Sequence, residues 1–204
     1  VIYRTNSTDT NSLSNNSIRA IKFYSSNNLW IGTSNGLNRY NPATDYFQVY
    51  KDSSYMNNFT DFLFDYPRKR IWIADVEAGL KYLDLESEQI FSVEKGGLND
   101  CQTWRLVFDP EQNLIIGTLD KGIARYNPKS DEIKFIDTTT QPALSHNLVR
   151  ELLLKDKILW IGTEGGGVNK YDLNANTVEV FSTANQTLGH DVVWSLGIDE
   201  HDLL

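Results

Sequence analysis

The sequence is poor in cysteine, in basic residues and in long apolar runs. Its single cysteine, Cys101, excludes a fold held together by disulfides within the chain. No stretch approaches the ~20 apolar residues that a membrane-spanning helix requires, and we expect no membrane contact within the chain. The 19 Lys and Arg are outnumbered by 27 Asp and Glu, for a net charge of −8. Because phosphate binding requires an excess of positive charge on some face, no nucleic-acid partner is expected.

The composition otherwise suits a folded, β-rich protein. Hydrophobic residues make up 40% of the chain and charged residues 23%, which is enough apolar material for a core. Aromatic residues reach 12%, and the tyrosines and tryptophans among them favour strands and binding surfaces. Apolar residues do not recur at the helical spacing, so almost no helix is predicted.

An internal repeat dominates the sequence. One block reads Trp-Ile-Gly-Thr, then a glycine before an apolar residue, then Tyr-Asn-Pro, and its four copies begin at Leu29, Ile71, Leu114 and Leu159. These starts are 42, 43 and 45 residues apart. A second block, Leu-Ser-x-Asn followed by alternating apolar residues, begins at Leu13, Leu98, Leu144 and Leu188, with a degenerate copy from Ser54. Constant periods of this length indicate a repeat architecture.

Each repeat predicts four short antiparallel strands, which is the blade of a β-propeller. The predicted fold class is therefore all-β, a β-propeller fragment covering 1–204 with four complete blades and parts of two more. The blades are predicted at 17–50, 59–93, 102–136 and 148–181, with residues 1–5 as the last strand of a preceding blade and 190–204 as the start of the next. Strand glycines and tryptophans that recur once per blade are expected to pack between neighbouring blades; they are Gly32, Gly117, Gly162, Trp30, Trp72 and Trp160.

Residues 13–16 and 29–42 resemble the two-component regulator propeller repeat, and residues 144–147 and 159–172 do so nearly as well. The resemblance covers essentially the whole chain, but Ala74-Asp75 replaces the expected Gly-Thr and Ile115 stands where Trp is expected. It implies a larger ring of about seven blades in the periplasmic sensor of a hybrid two-component system of the Bacteroidetes type. It also implies that the sensor detects oligosaccharides derived from polysaccharides and signals to a histidine kinase in the parent protein.

The candidate ligand-binding residues lie where a loop enters the first strand of each repeat. The leucine that begins each copy of the second block serves as the reference position. The residues six positions after it are Arg19, Trp104, Arg150 and Trp194, and two positions after it the last two copies have His146 and His190. Because arginine binds a carboxylate or sulfate through parallel hydrogen bonds and an indole stacks on a sugar ring, these residues would suit an anionic sugar. The alternative is that they pack at the mouth of a central channel.

No catalytic residue, metal or cofactor is expected. The shared repeat position of His146 and His190 explains them better than zinc binding, for which further ligands are missing. The acidic residues Asp61, Asp65, Glu86 and Glu88 are expected to be solvated loop or edge charges. We therefore expect a non-catalytic sensor segment, with two alternatives open: a lyase or glycoside hydrolase, or a purely structural or protein-interaction scaffold.

The expected partners follow from the same assignment. They are an oligosaccharide, the remainder of the parent sensor propeller and, through exposed blade edges, a second copy of the chain. The last expectation arises because an open arc of blades would leave apolar faces uncovered.

Overall fold

The computed structural model describes residues 1–26, 28–53 and 57–199. Sixteen strands and no helix occur within these ranges, which confirms the all-β prediction. In the same ranges there is accordingly no helix with the length and apolar character to cross a membrane. The chain divides into two compact units, Val1–Thr103 and Trp104–Leu204, and each contains two four-stranded sheets.

In both units, strands that follow one another in the sequence are neighbours in the sheet, in the up-and-down order of a propeller blade. The first unit contains β1 (Ile18–Ser25), β2 (Asn28–Thr33), β3 (Gly36–Asn41) and β4 (Tyr46–Tyr50), then β5 (Phe59–Asp65), β6 (Arg70–Asp75), β7 (Gly79–Asp84) and β8 (Gln89–Ser92). The second contains β9 (Thr103–Phe108), which starts at the unit boundary, β10 (Leu114–Thr118), β11 (Ile123–Tyr126) and β12 (Ile133–Ile136), then β13 (Val149–Lys155), β14 (Ile158–Thr163), β15 (Val168–Asp172) and β16 (Thr177–Phe181).

The strand glycines lie where a neighbouring backbone or side chain approaches closely, as the sequence predicts. A Cβ on Gly32 would lie 3.1 Å from the carbonyl oxygen of Phe59 in the next sheet. In the second unit, a Cβ on Gly117 would lie 2.9 Å from a methyl of Val149, and one on Gly162 would lie 2.9 Å from a methyl of Val193. The absence of a side chain at these positions therefore leaves room for the segment that packs against each of them.

The tryptophans that follow the same pattern are less uniform. Trp30 is 2% exposed and belongs to the apolar core of the first unit, together with Phe59 and Phe62 of the next sheet. Trp72 is also buried, and its indole nitrogen donates to Asp65 Oδ2 over 2.9 Å. Trp160 is only half-buried and lies beneath the ammonium group of Lys170, its cross-strand partner.

The chain ends differ from the prediction. Residues 1–5 form no strand, and Tyr3 instead packs its ring against Tyr40 and Phe47 at centroid distances of 5.6 and 5.2 Å. Residues 190–199 form no strand either, although one isolated bridge joins Val192 to Glu164. Strand conformation requires a partner along its whole length, and in the described residues these segments have none. The rest of the predicted start of the next blade, residues 200–204, lies outside the described residues.

Two acidic residues expected to be solvated are buried. Asp61 forms an ion pair of 2.6 Å with Lys22 of the neighbouring sheet. Asp65 is 1% exposed and binds both the Trp72 indole and Arg68. Their spacing in the sequence resembles that of surface charges, and only the tertiary structure supplies the donors that allow burial.

The first sheet has an uncovered apolar face. Ile21 and Phe23 of β1 are 59% and 62% exposed. The residues equivalent to Ile21 in the second and fourth sheets, Phe62 and Leu152, are 0% and 8% exposed because a neighbouring sheet covers them within their own unit. The face of β1 therefore has the chemistry of a blade contact without a neighbouring sheet among the described residues of its own unit.

Charged residues of the second sheet occupy the positions at which the first sheet has a neutral, buried hydrogen-bond network. In the first sheet, Thr33 and Asn38 are fully buried and bond to Ser14 of the loop. The corresponding residues of the second sheet are Asp75 and Lys81, which pair at 2.8 Å at 0% and 1% side-chain exposure. Lys81 also pairs with Asp52 at 2.6 Å. Burial raises the pKa of the Asp75 carboxyl, because the ionised form is desolvated there.

We expect Lys81→Ala to lower the free energy of unfolding by about 3–5 kcal/mol, because it leaves the Asp75 charge buried without its partner. The double variant Asp75→Thr/Lys81→Asn, which copies the Thr33–Asn38 pair, should retain most of that stability. Urea-induced unfolding measures both. A double variant as unstable as Lys81→Ala would contradict this account of the buried pair.

Candidate functional site

The loop that enters the first strand of a blade is fastened by a buried asparagine. In the fourth sheet, the Ser145 backbone N–H donates to Asn169 Oδ1 over 2.8 Å, and Asn169 Nδ2 donates to Ser145 Oγ over 2.7 Å. Ser14 and Asn38 make the same two bonds in the first sheet, at 2.9 Å each. The serine of the Leu-Ser pattern is thus part of the framework that positions the variable residues beside it.

The two histidines predicted as ligand-binding residues also hold this loop. His146 Nδ1 accepts a hydrogen bond from the Leu148 N–H, and His190 Nδ1 accepts one from the Val192 N–H, both over 3.0 Å. Asn15 does the same with its Oδ1 and the Ser17 N–H over 2.7 Å. An acceptor that reaches the N–H two residues ahead is therefore what these positions share, and it accounts for both histidines without a ligand.

The other predicted residues of the second unit come together at one place. The guanidinium carbon of Arg150 lies over the ring of Trp104, 5.1 Å from its centroid, and over the ring of Trp194, 4.8 Å from its centroid. Both distances lie within the range of a cation–π interaction. The Arg150 side chain is only 15% exposed, whereas Trp194 is 62% exposed. We call Trp104, Arg150, Trp194 and the carboxylate described next the indole cluster.

The fourth member of the indole cluster is Glu164, which the sequence analysis missed. Its Oε2 accepts a hydrogen bond from Arg150 Nε and forms an ion pair with Arg150 Nη2, so the guanidinium charge is compensated inside the protein. The strand register contains the signal that could have identified it. The pairing shifts register between Val149, which pairs with Thr163, and Glu151, which pairs with Gly162, so Arg150 is the extra residue of a bulge close to the strand end from which Glu164 continues.

Arg19 occupies the equivalent position in the first unit but has a different environment. Its Nε donates to Ser34 Oγ over 3.1 Å, and the residue is exposed. Ser34 follows Thr33 as Glu164 follows Thr163, so a hydroxyl replaces the carboxylate. The structure therefore brings together Trp104, Arg150 and Trp194, while Arg19 belongs to the other unit.

The segment that carries Trp194 is held by its backbone. The Asp191 carbonyl accepts from the N–H groups of Gly165 and Gly167, and the Val193 N–H donates to the Thr163 carbonyl, each over 2.9 Å. Hydrogen bonds from the Thr183 hydroxyl and backbone N–H hold the pKa of the Asp191 carboxyl below its usual value. Although this segment is not a strand, these contacts hold the backbone immediately before Trp194, and the Trp194 ring itself contacts Arg150.

Metal binding has no support in the described part of the chain. Across residues 1–26, 28–53 and 57–199, no three His, Cys, Asp or Glu side chains are grouped so that they could hold an ion. The indole cluster presents the exposed indole of Trp194 next to the Arg150 guanidinium, whose charge is compensated by Glu164. Such a surface binds by stacking and hydrogen bonding.

We expect Arg150→Ala to lower the free energy of unfolding by about 1–2 kcal/mol, because it removes two cation–π contacts and leaves Glu164 without its partner. Arg19→Ala, at the equivalent position of the first unit, should change it by no more than about 0.5 kcal/mol, since that side chain is exposed. Chemical unfolding of the two variants provides the comparison. Equal losses would show that the indole contacts contribute nothing to stability.

Comparisons with known proteins agree with this structure. Residues 12–35 match the family model described as "Two component regulator propeller". Histidine kinase P4 of Formosa agariphila is 29% identical over 156 residues, which cover 73% of the chain and 10% of that protein. The chain thus spans a small part of this relative's length.

Two solved structures from B. thetaiotaomicron share the fold. The extracellular domain of BT3049, described as a hybrid two component system, has a TM-score of 0.79 at 24% identity and covers 99% of the chain and 27% of its own length. The extracellular domain of BT4673, described in the same words, has a TM-score of 0.68 at 24% identity and covers 89% of the chain and 26% of its own length. Together with the four-stranded sheets, these likenesses establish that the chain is an array of propeller blades, and residues 12–35 match the two-component regulator propeller repeat.

Proposed function

We propose that the chain is a non-catalytic segment of the sensor of a hybrid two-component system, which relays ligand binding to a histidine kinase elsewhere in the parent protein. The family match supports this assignment, as does the relative that is itself named a histidine kinase. The two solved structures are extracellular domains of such systems, which supports an extracytoplasmic location and, more specifically, the periplasm.

The ligand that we propose is an oligosaccharide derived from a polysaccharide, bound at the indole cluster. The observation that carries this proposal is the Trp194 side chain, which is 62% exposed while its ring is held against Arg150. An exposed indole with a restricted orientation can stack on the apolar face of a sugar without first losing conformational freedom. His146 and His190, which cap the adjoining loops, would keep the neighbouring backbone in place around such a ligand.

The same cluster argues for binding rather than catalysis. Hydrolysis of a glycosidic bond ordinarily requires two carboxyl groups on either side of the bond. Glu164 is the carboxylate beside the two indoles, and both of its contacts to Arg150 hold it as a compensated anion. We therefore assign it no role as an acid or a base.

The exposed apolar face of β1 is the surface at which we propose that a partner binds. Ile21 and Phe23 occupy positions that a neighbouring blade covers elsewhere in the chain. We propose that another blade of the parent sensor covers them, since the face then gains the same contacts as its equivalents. A second copy of the chain would be the alternative cover.

Calorimetric titration of the chain with a panel of plant and microbial oligosaccharides measures their affinities and so tests the proposed class of ligand. We expect at least one member to bind and Trp194→Ala to weaken it by about tenfold or more, which corresponds to the loss of one stacking contact. Arg19→Ala, the equivalent substitution in the first unit, should leave the affinity unchanged. The proposed ligand site would be wrong if Trp194→Ala bound the same oligosaccharide equally well.

A further inference from the structure

We propose that the indole cluster selects an uncharged sugar over an anionic one, because Glu164 already occupies the hydrogen-bonding edge of Arg150 beside the exposed ring of Trp194. This inference rests on the proposed function and specifies its ligand class. It reverses the expectation from the sequence, in which the arginine would bind the charged group of the ligand.

The edge of the Arg150 guanidinium formed by Nε and Nη2 is already occupied. Arginine recognises a carboxylate or sulfate through parallel N–H groups. In this protein, Nε of Arg150 donates to Glu164 Oε2, and Nη2 of the same guanidinium forms an ion pair with that oxygen. A carboxylate on the ligand would have to displace Glu164 or lie close to it, and like charges a few ångströms apart repel each other.

A ligand can reach only the part of the indole cluster that remains exposed to solvent. The Arg150 guanidinium lies over both indoles and its side chain is 15% exposed, so it presents little area to a ligand. Trp194, at 62% exposure, presents most of the area of the cluster. Stacking on an indole uses the C–H groups of a sugar ring, and it requires no charge on the ligand.

The fold does not require a carboxylate at the position of Glu164. Ser34 is the equivalent residue of the first unit, and it satisfies Arg19 with a hydroxyl. The pairing with the first strand is the same in both, because Thr33 pairs with Ile18 as Thr163 pairs with Val149, although the turn that follows is one residue longer in the fourth sheet. The carboxylate of Glu164 thus changes the charge beside the arginine at a position where the first sheet has a neutral hydroxyl.

The test compares ligands that differ only in charge. Tetragalacturonate and its fully methyl-esterified form have the same length and linkages, and neutral tetrasaccharides of glucan, xylan, mannan and galactan extend the panel. The readout is the indole N–H signal of Trp194 in ¹⁵N spectra, assigned with Trp194→Phe. Each indole gives one signal, so weak binding is measured at the cluster itself.

We expect uncharged members of the panel to shift the Trp194 signal and the acid to bind about tenfold more weakly than its methyl ester. Glu164→Ser, which copies Ser34, should remove this preference and increase binding of the acid. Glu179→Ser is the control, because it removes one negative charge from an exposed pair with Lys170 in the same unit. It should leave the preference as it is, and the unfolding midpoint of each variant confirms that it is folded.

Two outcomes would overturn the inference in different ways. If the acid shifts the Trp194 signal of the unsubstituted chain as strongly as the ester does, the charge selection is wrong and the proposed sugar site stands. If no member of the panel shifts that signal in the unsubstituted chain or in Glu164→Ser, the proposed ligand site fails and the inference fails with it.

Discussion

The structure depends on how closely one sheet can approach the next. In three of the four sheets the strand glycine lies against the next segment, where a Cβ on Gly32, Gly117 or Gly162 would come within about 3 Å of a neighbouring atom. Each glycine lies in the second strand of its sheet, and the second sheet has the small residue Ala74 at the same position. Large side chains around it, such as Trp30, Phe62 and Leu152, then fill the space between the sheets. The repeat in the sequence is thus a repeat of one packing constraint.

This constraint leaves other positions free to vary in chemistry. At this repeat position the chain has Arg19, Thr60, Trp104 or Arg150 in the first strand of a sheet, and Trp194 in the segment after the fourth sheet. Thr60 is buried and bonds to backbone carbonyls, Arg19 is exposed beside a serine, and Arg150 is paired with a glutamate between two tryptophan contacts. A propeller can therefore change what it binds by substituting a few loop-proximal residues, while the sheets that support them remain the same.

The sequence was sufficient to predict the four-stranded sheets, because the strand period, the turn residues and the glycines all repeat. It also identified three of the four members of the indole cluster by their repeat position. It missed Glu164, since the partner of a side chain depends on strand register, and it placed Asp61 and Asp65 in solvent because the donors that bury them come from Lys22, Arg68 and Trp72. Residues 1–5 and 190–199 match strand patterns but form no strand, because a pattern does not reveal whether a pairing partner is present.

The most direct test of the packing constraint is the stability of Gly117→Val beside that of Gly189→Val, measured by chemical unfolding. A Cβ on Gly117 would lie 2.9 Å from Val149, whereas nothing lies within 4 Å of a Cβ on Gly189. We predict that Gly117→Val lowers the free energy of unfolding by about 1–3 kcal/mol or more and that Gly189→Val changes it by no more than about 0.5 kcal/mol. Equal stability of the two variants would contradict the account, because sheet stacking would then not depend on the glycine.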